Sequence, residues 1–320
     1  MHSSVLIALV LSALTCCPST SAGAGYPSRP VRVIVPFAAG GTFDQVARVV
    51  SQRLTGIWAQ QVIVDNRPGG GTIIATDLTA KATPDGHTIF LSPNALAANP
   101  ALRKKLPYDT KRDLKAVVLI AAQPMALGAH PTFRAKTIRD LLEIARQSPA
   151  SMSYGSAGVG SGGHLAGEIF KSMAGIDITH VSYKGGNVAM MDVVANQIPL
   201  VMTGLPNLLP LHRAGRIRIL GVTSSARSAV AKDIPSIGET VRGYDFKNWF
   251  GFVVPAGTPK SIVEQLNRDV NSVLRTDARE SLQSQGFEII GGSVGDFEKV
   301  IASDTEKFAA IIRQAGIEPQ

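Results

Sequence analysis

The stretch that most constrains the fold is residues 31–50, VRVIVPFAAGGTFDQVARVV. Its first five residues are mostly β-branched and apolar, which is typical of a short buried strand. Pro36 and the glycines at 40 and 41 predict a turn, and apolar residues then recur with helical spacing from Val46 to Leu54. A glycine turn that opens a helix presents unpaired N–H groups and the positive end of the helix dipole, so it predicts an anion-binding loop. No lysine follows the glycines, which argues against a Walker-type phosphate loop.

The same alternation of strand and helix continues along the chain. Thr137 with Asp140 forms a capping box that predicts a helix start, Thr258-Pro259 predicts another helix that runs to about Leu274, and a last helix is predicted from Asp296 to about Ala315. Strands are predicted at 31–35, 62–64, 88–92, 117–121, 126–129, 152–155, 179–182, 200–203, 217–222, 250–254 and 288–290, with Pro124 breaking the run between the fourth and the fifth. The pattern predicts an α/β fold with mostly parallel sheets covered by helices on both faces.

Ligands of such sheets bind at the carboxyl ends of the strands, so the loops that follow the strands matter most. In this chain those loops are rich in glycine, serine and asparagine. They are residues 36–43, 92–99, 155–163, 183–187 and 203–207. The sequence therefore predicts a binding site built from small and neutral loop residues.

The N-terminus predicts an export leader. The first 25 residues carry no Lys, Arg, Asp or Glu, and the apolar run 5–14 is far shorter than the roughly 20 residues that span a bilayer. Ala22-Gly23-Ala24 fits a signal-peptidase site, so cleavage is expected near Ala24, although the usual basic start is missing. The residues before Cys16 and Cys17 fit a lipid-attachment motif poorly, so no lipid anchor is expected. Both cysteines leave with the leader, which excludes cysteine-based sites from the mature chain.

The basic balance does not indicate a nucleic-acid partner. The formal charge is +8, but the basic residues are scattered and the densest run is Arg103-Lys104-Lys105. Aromatic residues are 6% of the chain, too few for a base-stacking platform. The positive potential would instead steer small anions towards the protein.

The glycine-rich run 156–163, SAGVGSGG, follows a predicted strand and opens a helix near His164. It contains the dinucleotide spelling G-x-G-x-x-G, but the acid expected on the ribose is absent after the next strand, which favours an anion or carboxylate cradle. Ser156 and Ser161 do not lie in the G-x-S-x-G motif of hydrolases. His164 and Glu168 are spaced like metal ligands, yet no third ligand is evident, so we expect neither a metal nor a cofactor. Asp44 is predicted to accept backbone N–H bonds and fix its loop.

The chain resembles a known family through seven motifs in the same order. They are YPSRPVRVIVPFAAGG…D, DNRPGGG, PDGHTIFL, NPALRKKLPYD, SYGSAGVGSGGHLAGEIFKSMAG, VSYKGG and WFGFVVPAGTP. This combination, from Tyr26 to the C-terminus, is similar to the Bug-type solute receptors of tripartite tricarboxylate transporters.

The resemblance implies a two-lobed periplasmic-binding-protein fold of type II, a Venus flytrap in which each lobe is a mostly parallel sheet flanked by helices. We expect a leader at 1–24, lobe 1 at 25–123 plus 225–320, and lobe 2 at 124–224, with crossings near 122–125 and 223–226. A small carboxylate would bind between the lobes without a buried cation. The implied ligand-binding residues are Phe37, Ala39, Gly40, Gly41, Thr42, Phe43, Asp44, Ser92, Asn94, Ser156, Gly158, Ser161, His164, Lys184, Gly185 and Thr203.

Three departures from the family pattern bear on the ligand. Phe43 stands where a small hydroxyl residue is expected, Thr203-Gly204 where relatives often have an aspartate and an asparagine, and Gly186-Asn187 where a small residue and a proline are usual. Because Thr203 cannot carry a charge to pair with an amine, we hypothesise that amino acids are disfavoured. A plain or aromatic carboxylate, packed on Phe43, would be preferred.

The sequence thus predicts a monomeric, periplasmic solute receptor that delivers an organic carboxylate to integral-membrane transporter subunits, and not an enzyme. Two alternatives remain at this point. The same fold could sense a ligand for a membrane signalling system, or it could carry an exported hydrolase or isomerase. The enzyme would need a base and a nucleophile within hydrogen-bond reach, and the predicted pocket loops offer only His164, Asp44 and Lys184 as titratable groups.

Overall fold

The computed structural model describes residues 25–148, 152–314 and 317–319. The predicted leader, its cleavage site and both cysteines lie outside these residues. The strands are β1 Val31–Val35, β2 Val62–Asn66, β3 Thr88–Ser92, β4 Leu114–Ala129, β5 Ser153–Ser156, β6 Thr179–Ser182, β7 Leu200–Gly204, β8 Arg218–Val222, β9 Lys247–Pro255 and β10 Glu288–Ile289.

The helices alternate with these strands, as predicted. They are α1 Thr42–Trp58, α2 Ile73–Ala80, α3 Ala95–Leu102, α4 Thr110–Asp113, α5 Ile138–Gln147, α6 Gly162–Ala174, α7 Gly186–Val194, α8 Leu205–Arg213, α9 Lys260–Val273, α10 Asp277–Gln283 and α11 Val294–Gln314. Short 3₁₀ turns lie at Gly70–Thr72 and Ile237–Glu239. The predicted capping box of Thr137 and Asp140 is confirmed at the start of α5. None of the helices in the described part of the chain is both long and apolar enough to cross a bilayer.

Two sheets share the long strand β4. The strand order is β2-β1-β3-β9-β4-β7-β5-β6, with β8 and β10 also pairing with β4. The outer strands pair in parallel, β1 with β2 and β3, and β5 with β6 and β7. The pairs that involve β4 and β9 are antiparallel. We call the part built on β1–β3 and β9 lobe 1 and the part built on β5–β8 lobe 2, and this confirms the predicted two-lobed α/β fold.

The sequence prediction of two strands separated at Pro124 is wrong. β4 is one strand of 16 residues that pairs with β9 up to Pro124 and with β7 and β8 from Met125 onward. Proline lacks the N–H that a ladder needs, and it is tolerated here because the strand exchanges its partners at this point. β4 therefore passes from lobe 1 to lobe 2 without a loop.

Each sheet is covered by helices on both faces, which places the cores between the layers. In lobe 1, α1 turns Val46, Val50 and Leu54 towards the sheet and packs with α9 and α10, while α2, α3 and α11 lie on the opposite face. In lobe 2, α5 and α6 cover one face and α7 and α8 the other. Because the sheets are fixed from both sides, the loops at their carboxyl ends are held in place.

Thr223 ties three strands together where the lobes meet. It is fully buried, and its Oγ1 accepts the N–H of Met125 at 2.7 Å and donates to the carbonyl oxygen of Phe246 at 2.8 Å. The segment between β8 and β9 contacts lobe 2, since Tyr244 Oη donates to Ala166 O at 2.8 Å and Val222 pairs with Ser236. The residue limits of the two lobes stay a prediction.

Replacing Thr223 with valine, which has nearly the same shape, leaves the buried N–H of Met125 without this hydroxyl acceptor. We expect Thr223→Val to lower the free energy of unfolding by about 1–3 kcal/mol, measured by urea denaturation. Thr223→Ser keeps the hydroxyl and is the matched control. Equal losses in both variants would show that the methyl group, and not the hydrogen bonds, stabilises this junction.

Candidate functional site

The carboxyl-end loops of both sheets enclose a cavity of about 30 Å³ between the lobes. Lobe 1 contributes the β1–α1 loop, and lobe 2 contributes the β5–α6 loop and the starts of α7 and α8. The lining residues are Phe37, Gly41, Thr42, Phe43, Met125, Ala157, Ser161, Gly162, Gly163, Gly186, Asn187, Met202, Thr203, Gly204, Asn207 and Asn248. Loops that the sequence indicated therefore meet at the boundary between the two lobes.

Four helices begin at this cavity. The residues before their first turns are Gly41 for α1, Ser161 for α6, Gly185 for α7 and Gly204 for α8. No side chain caps α1, α7 or α8, and only Ser161 accepts a first-turn N–H, that of His164 at 3.3 Å. Helix geometry leaves the remaining first-turn N–H groups without intrahelical partners, and each helix start carries about half a positive charge. The arrangement is suited to an anion.

The lining is neutral throughout. None of the cavity-lining residues is Asp, Glu, Lys, Arg or His. A carboxylate in this space would be held by backbone N–H groups, hydroxyls and amides, whereas an ammonium group would meet no carboxylate side chain. Thr203 lies in the lining and is 4% exposed. It stands at the position where relatives often have an aspartate, so the lining lacks that carboxylate.

Asp44 braces the β1–α1 loop from behind. Its Oδ2 accepts the N–H of Gly40 at 3.0 Å and the Nε–H of Arg48 at 2.8 Å. Burial by itself would raise the pKa of Asp44, but the hydrogen bonds from Arg48 and Gly40 outweigh it, so this pKa lies below its ordinary value. Asp44 stays ionised and does not line the cavity, in agreement with the prediction that it fixes the loop.

Direct contacts close the two lobes on each other. Asn187 Nδ2 donates to the carbonyl oxygen of Ala39 at 2.9 Å, and Ala38 N–H donates to the carbonyl oxygen of Lys184 at 3.3 Å. A cavity of about 30 Å³ is far smaller than the roughly 300–1,000 Å³ that is typical of small-molecule pockets. An organic acid would fit here only if the lobes lay further apart than they do in this structure.

The DNRPGGG motif permits this close approach on the other side of the β1–α1 loop. Gly71 has a φ of +61°, and a Cβ at this position would overlap the carbonyl oxygen of Val159 in lobe 2. A larger residue would be strained and would hold the lobes apart. A second cavity of about 200 Å³ lies beside Gly71. It shares the lining residues Phe37 and Ala157 with the first cavity, and its lining includes Lys184.

Aromatic rings form the lobe 1 wall. Phe43 is 4% exposed, and its ring lies 4.8 Å from that of Phe37 and 4.3 Å from that of Phe250. These two ring contacts leave little of the Phe43 ring exposed. Phe43 therefore limits the width of the cavity more than it offers a stacking face.

A cluster of hydroxyls and imidazoles supports the lobe 2 wall. Ser156 Oγ lies 2.7 Å from His180 Nε2 and 3.3 Å from Ser161 Oγ, and the rings of His164 and His180 are 4.4 Å apart. His164 Nδ1 accepts the N–H of Gly160 at 3.2 Å. Burial is the main cause that lowers the pKa of His164 to about 4 and that of His180 to about 3. Both imidazoles are therefore neutral at pH 7.

The predicted site residues fall into four positions. The lining contains Phe37, Gly41, Thr42, Phe43, Ser161 and Thr203. Gly158 and Lys184 border the second cavity. Ala39, Gly40, Asp44, Ser156, His164 and Gly185 support the loops from behind or at the lobe contact. Ser92 and Asn94 lie outside the lining, and Asn94 Oδ1 instead accepts the N–H of Trp249 at 3.0 Å.

Several lining residues were not among the predicted ones. Asn187, Gly204 and Asn207 lie in the loops 183–187 and 203–207, which the sequence did indicate. The signal for these three residues was therefore the position of their loops after predicted strands. Met125 and Asn248 come from β4 and β9 and carry no motif. Their position depends on the pairing of distant strands.

Comparisons with known proteins give one family match and several similar structures. Residues 46–317 match the family described as "Tripartite tricarboxylate transporter family receptor". Protein BugT of Bordetella pertussis is 32% identical over 297 residues, 91% of this chain and 90% of BugT. The structure of Rhodopseudomonas palustris Rpa4515 with adipate is similar with a TM-score of 0.89 and 35% identity, over 92% of this chain and 100% of that one. The structure of MatC from the same organism, with bound malate, is similar with a TM-score of 0.86 and 27% identity, over 90% of this chain and 100% of MatC.

Burial of the two neutral imidazoles predicts acid sensitivity. Because the folded pKa values of His164 and His180 lie below the ordinary histidine value, the unfolded chain takes up more protons as the pH falls below about 6.5. We expect the free energy of unfolding to fall by roughly 2–4 kcal/mol between pH 7 and pH 5, measured by urea denaturation. His164→Gln should flatten this dependence, and His130→Gln, outside the cluster, serves as the control. An unchanged slope in His164→Gln would contradict the assignment.

Proposed function

The chain belongs to the tripartite tricarboxylate transporter receptor family, and on this premise we propose that it closes around a small organic carboxylate and delivers it to integral-membrane transporter subunits. The observation that supports this most is the convergence of four helix starts on a cavity without a charged side chain. Such a cavity favours one buried negative charge and offers nothing to a cation.

Closure is driven by the difference in the guest's affinity for the open and closed forms. The β1–α1 loop belongs to lobe 1 and the starts of α6, α7 and α8 to lobe 2, so the guest meets all four dipoles only when the lobes are shut. β4 and β9 lie where the lobes meet and let them rotate as rigid bodies. The membrane subunits would then recognise the closed form.

We infer that the guest is an acid without an amino group. A buried ammonium would lose its hydration and find no carboxylate among the lining residues. Phe43, with both neighbouring rings packed against it, favours narrow aliphatic acids over aromatic ones. Similar structures hold adipate and malate, which makes these two acids the first to test.

The protein is not an enzyme in this proposal, although one contact resembles a hydrolase pair. Ser156 Oγ and His180 Nε2 are 2.7 Å apart, within the reach of a nucleophile and its base. Ser156 is nevertheless 0% exposed, does not line the cavity and also lies within hydrogen-bond distance of Gly158 N. A buried hydroxyl without access to the guest cannot attack it.

Receptors of this family are periplasmic, and we place this chain there as a monomer whose leader is cleaved near Ala24. A role as ligand sensor for a membrane signalling system would use the same closure. Loss of uptake of the bound acid in a deletion strain supports transport, whereas intact uptake with altered transcription would favour sensing.

The proposed guest class predicts a specific order of affinities. By isothermal titration calorimetry, adipate or malate should bind at least about ten-fold more tightly than glutamate and aspartate, because an unpaired buried ammonium costs well over 1.4 kcal/mol. Tight glutamate binding together with no response to unaminated acids would reject the proposal.

Two controls accompany this titration. Ser161→Asp puts a negative charge into the lining and should abolish binding, while the matched change Ser293→Asp, at an exposed site before α11, should not. An acid at a hundred times its dissociation constant should also add about 2.7 kcal/mol to the free energy of unfolding. Wild-type affinity in Ser161→Asp would mean that the cradle lies elsewhere.

Phe43 provides a test of guest width. Phe43→Ala should raise the affinity for a bulky aromatic acid such as benzoate relative to adipate by about ten-fold, at a cost in stability of about 3–5 kcal/mol. Phe252→Ala removes another buried ring of the same core, one that does not line the cavity. It should lose similar stability without changing the ratio of affinities. The same ratio in both variants would show that Phe43 does not limit the guest.

A further inference from the structure

Three side chains form a hydrogen-bonded line from the cavity into lobe 2. Ser161 lines the cavity, Ser156 lies behind it with its Oγ 3.3 Å away, and His180 Nε2 follows at 2.7 Å from Ser156 Oγ. We call Ser161, Ser156 and His180 the hydroxyl relay. Of the three, only Ser161 lines the space where the guest would lie, so the other two can act on the guest only through it.

The environment of each hydroxyl limits how the relay can be used. A serine oxygen has one proton to donate and two lone pairs to fill. The N–H of Gly158 donates to Ser156 Oγ at 3.2 Å, and the N–H of His164 donates to Ser161 Oγ at 3.3 Å. One lone pair of each serine is therefore occupied by a backbone donor, which leaves one lone pair and one proton on each. The Ser156 proton also has the carbonyl oxygen of Gly158 within reach at 3.3 Å.

The hydrogen bonds of the relay can run in two directions. In the first, which runs from His180 inward to the cavity, His180 Nε2 carries the ring proton and donates a hydrogen bond to Ser156 Oγ. Ser156 then has both lone pairs filled, and it donates its proton to Ser161 Oγ or to the carbonyl oxygen of Gly158, each 3.3 Å away. Neither choice uses the Ser161 proton, which points to the cavity. Every group is satisfied when the cavity contains an acceptor, and a carboxylate is an acceptor without protons.

In the second direction, which runs outward from the cavity to His180, His180 Nε2 carries no proton and accepts a hydrogen bond from the Ser156 hydroxyl. Ser161 then donates to Ser156 and presents a lone pair to the cavity. A carboxylate would meet this lone pair with repulsion, whereas a donor group would be accepted. The tautomer of His180 thus biases Ser161 towards offering either a proton or a lone pair to the guest.

We propose that His180 is a positioning residue that holds its proton on Nε2 when a carboxylate is bound and so directs the Ser161 hydroxyl proton at the guest. The inference rests on the proposed function, because it needs an acid in the cavity. It goes beyond that function by assigning a role to a residue on β6 that does not line the cavity.

The surroundings of His180 leave both tautomers available. Burial, with a smaller contribution from His164, keeps its pKa near 3, so the ring is neutral at pH 7 and carries one proton. Lys171 also disfavours the charged ring, whereas Glu168 favours it. The neighbouring His164 has no such choice, because its Nδ1 accepts from Gly160 N–H and its proton must lie on Nε2. The guest can therefore select the direction at His180 alone.

The tautomer can be measured directly in the intact protein. With ¹⁵N-labelled histidine, the NMR spectrum of the adipate complex at pH 7 should show a protonated Nε2 and a bare Nδ1 for His180, assigned by the loss of its signals in His180→Gln. A purely structural role would not require this tautomer in the complex. A bare Nε2 in the complex overturns the relay.

A pair of variants tests the same point by affinity. His180→Glu places an acceptor where Nε2 lies and should weaken adipate binding about ten-fold or more. His180→Gln can donate from the same place and should recover most of that loss. Thr179→Glu is the charge control, since it is exposed on the same strand. Equal affinities in His180→Glu and His180→Gln would overturn the proposal, and the NMR measurement on the wild type decides it if His180→Glu does not fold.

Failure of the relay and failure of the proposed function are distinguishable. If the wild type binds adipate or malate but His180 Nε2 is bare in the complex, the relay is wrong and the receptor proposal stands. If the wild type binds neither these acids nor any other unaminated acid, the receptor proposal fails, and the relay fails with it.

Discussion

The structure depends on the positive helix starts at the contact between the lobes. Four helices direct first-turn N–H groups at one small space, and each start carries about half a positive charge. Dipoles suit this task better than a lysine would, because a full cation would stay buried and unpaired whenever the site closed without a guest. Dispersed partial charges tolerate both states, so the same groups can hold an acid and release it.

Closure and recognition are coupled because hinge residues belong to the lining. Met125 lies where β4 exchanges β9 for β7 and β8, and Asn248 lies on β9 close enough to α6 that a Cβ on Gly162 would overlap its amide. Thr223 fixes this junction by bonding to both β4 and the residue before β9. A rotation of the lobes would therefore move the floor of the cavity, and in the proposed closure a guest that fits the closed floor would stabilise the closed form.

The sequence could predict the parts of the site that are local. The β1–α1 loop and the β5–α6 loop follow from a strand, a glycine turn and a helix start, and both line the cavity. Met125 and Asn248 could not be predicted, since their place depends on strand pairing over long sequence distances. Asn94 was predicted as a ligand-binding residue because its loop matches the family pattern. Its amide oxygen instead accepts the N–H of Trp249, which the local sequence does not indicate. Pro124 misled the strand assignment because a proline is harmless where a strand exchanges partners.

Access, and not residue type, decides what the Ser156–His180 pair can do. The same two side chains at 2.7 Å would suggest a nucleophile and its base if the hydroxyl faced the guest. Here the glycines in the first turn of α6 let this helix start directly against β7, where a Cβ on Gly163 would overlap the carbonyl oxygen of Met202. That close packing puts Ser161 between the pair and the cavity. In the proposed receptor the pair would orient one hydrogen bond and leave the guest unchanged.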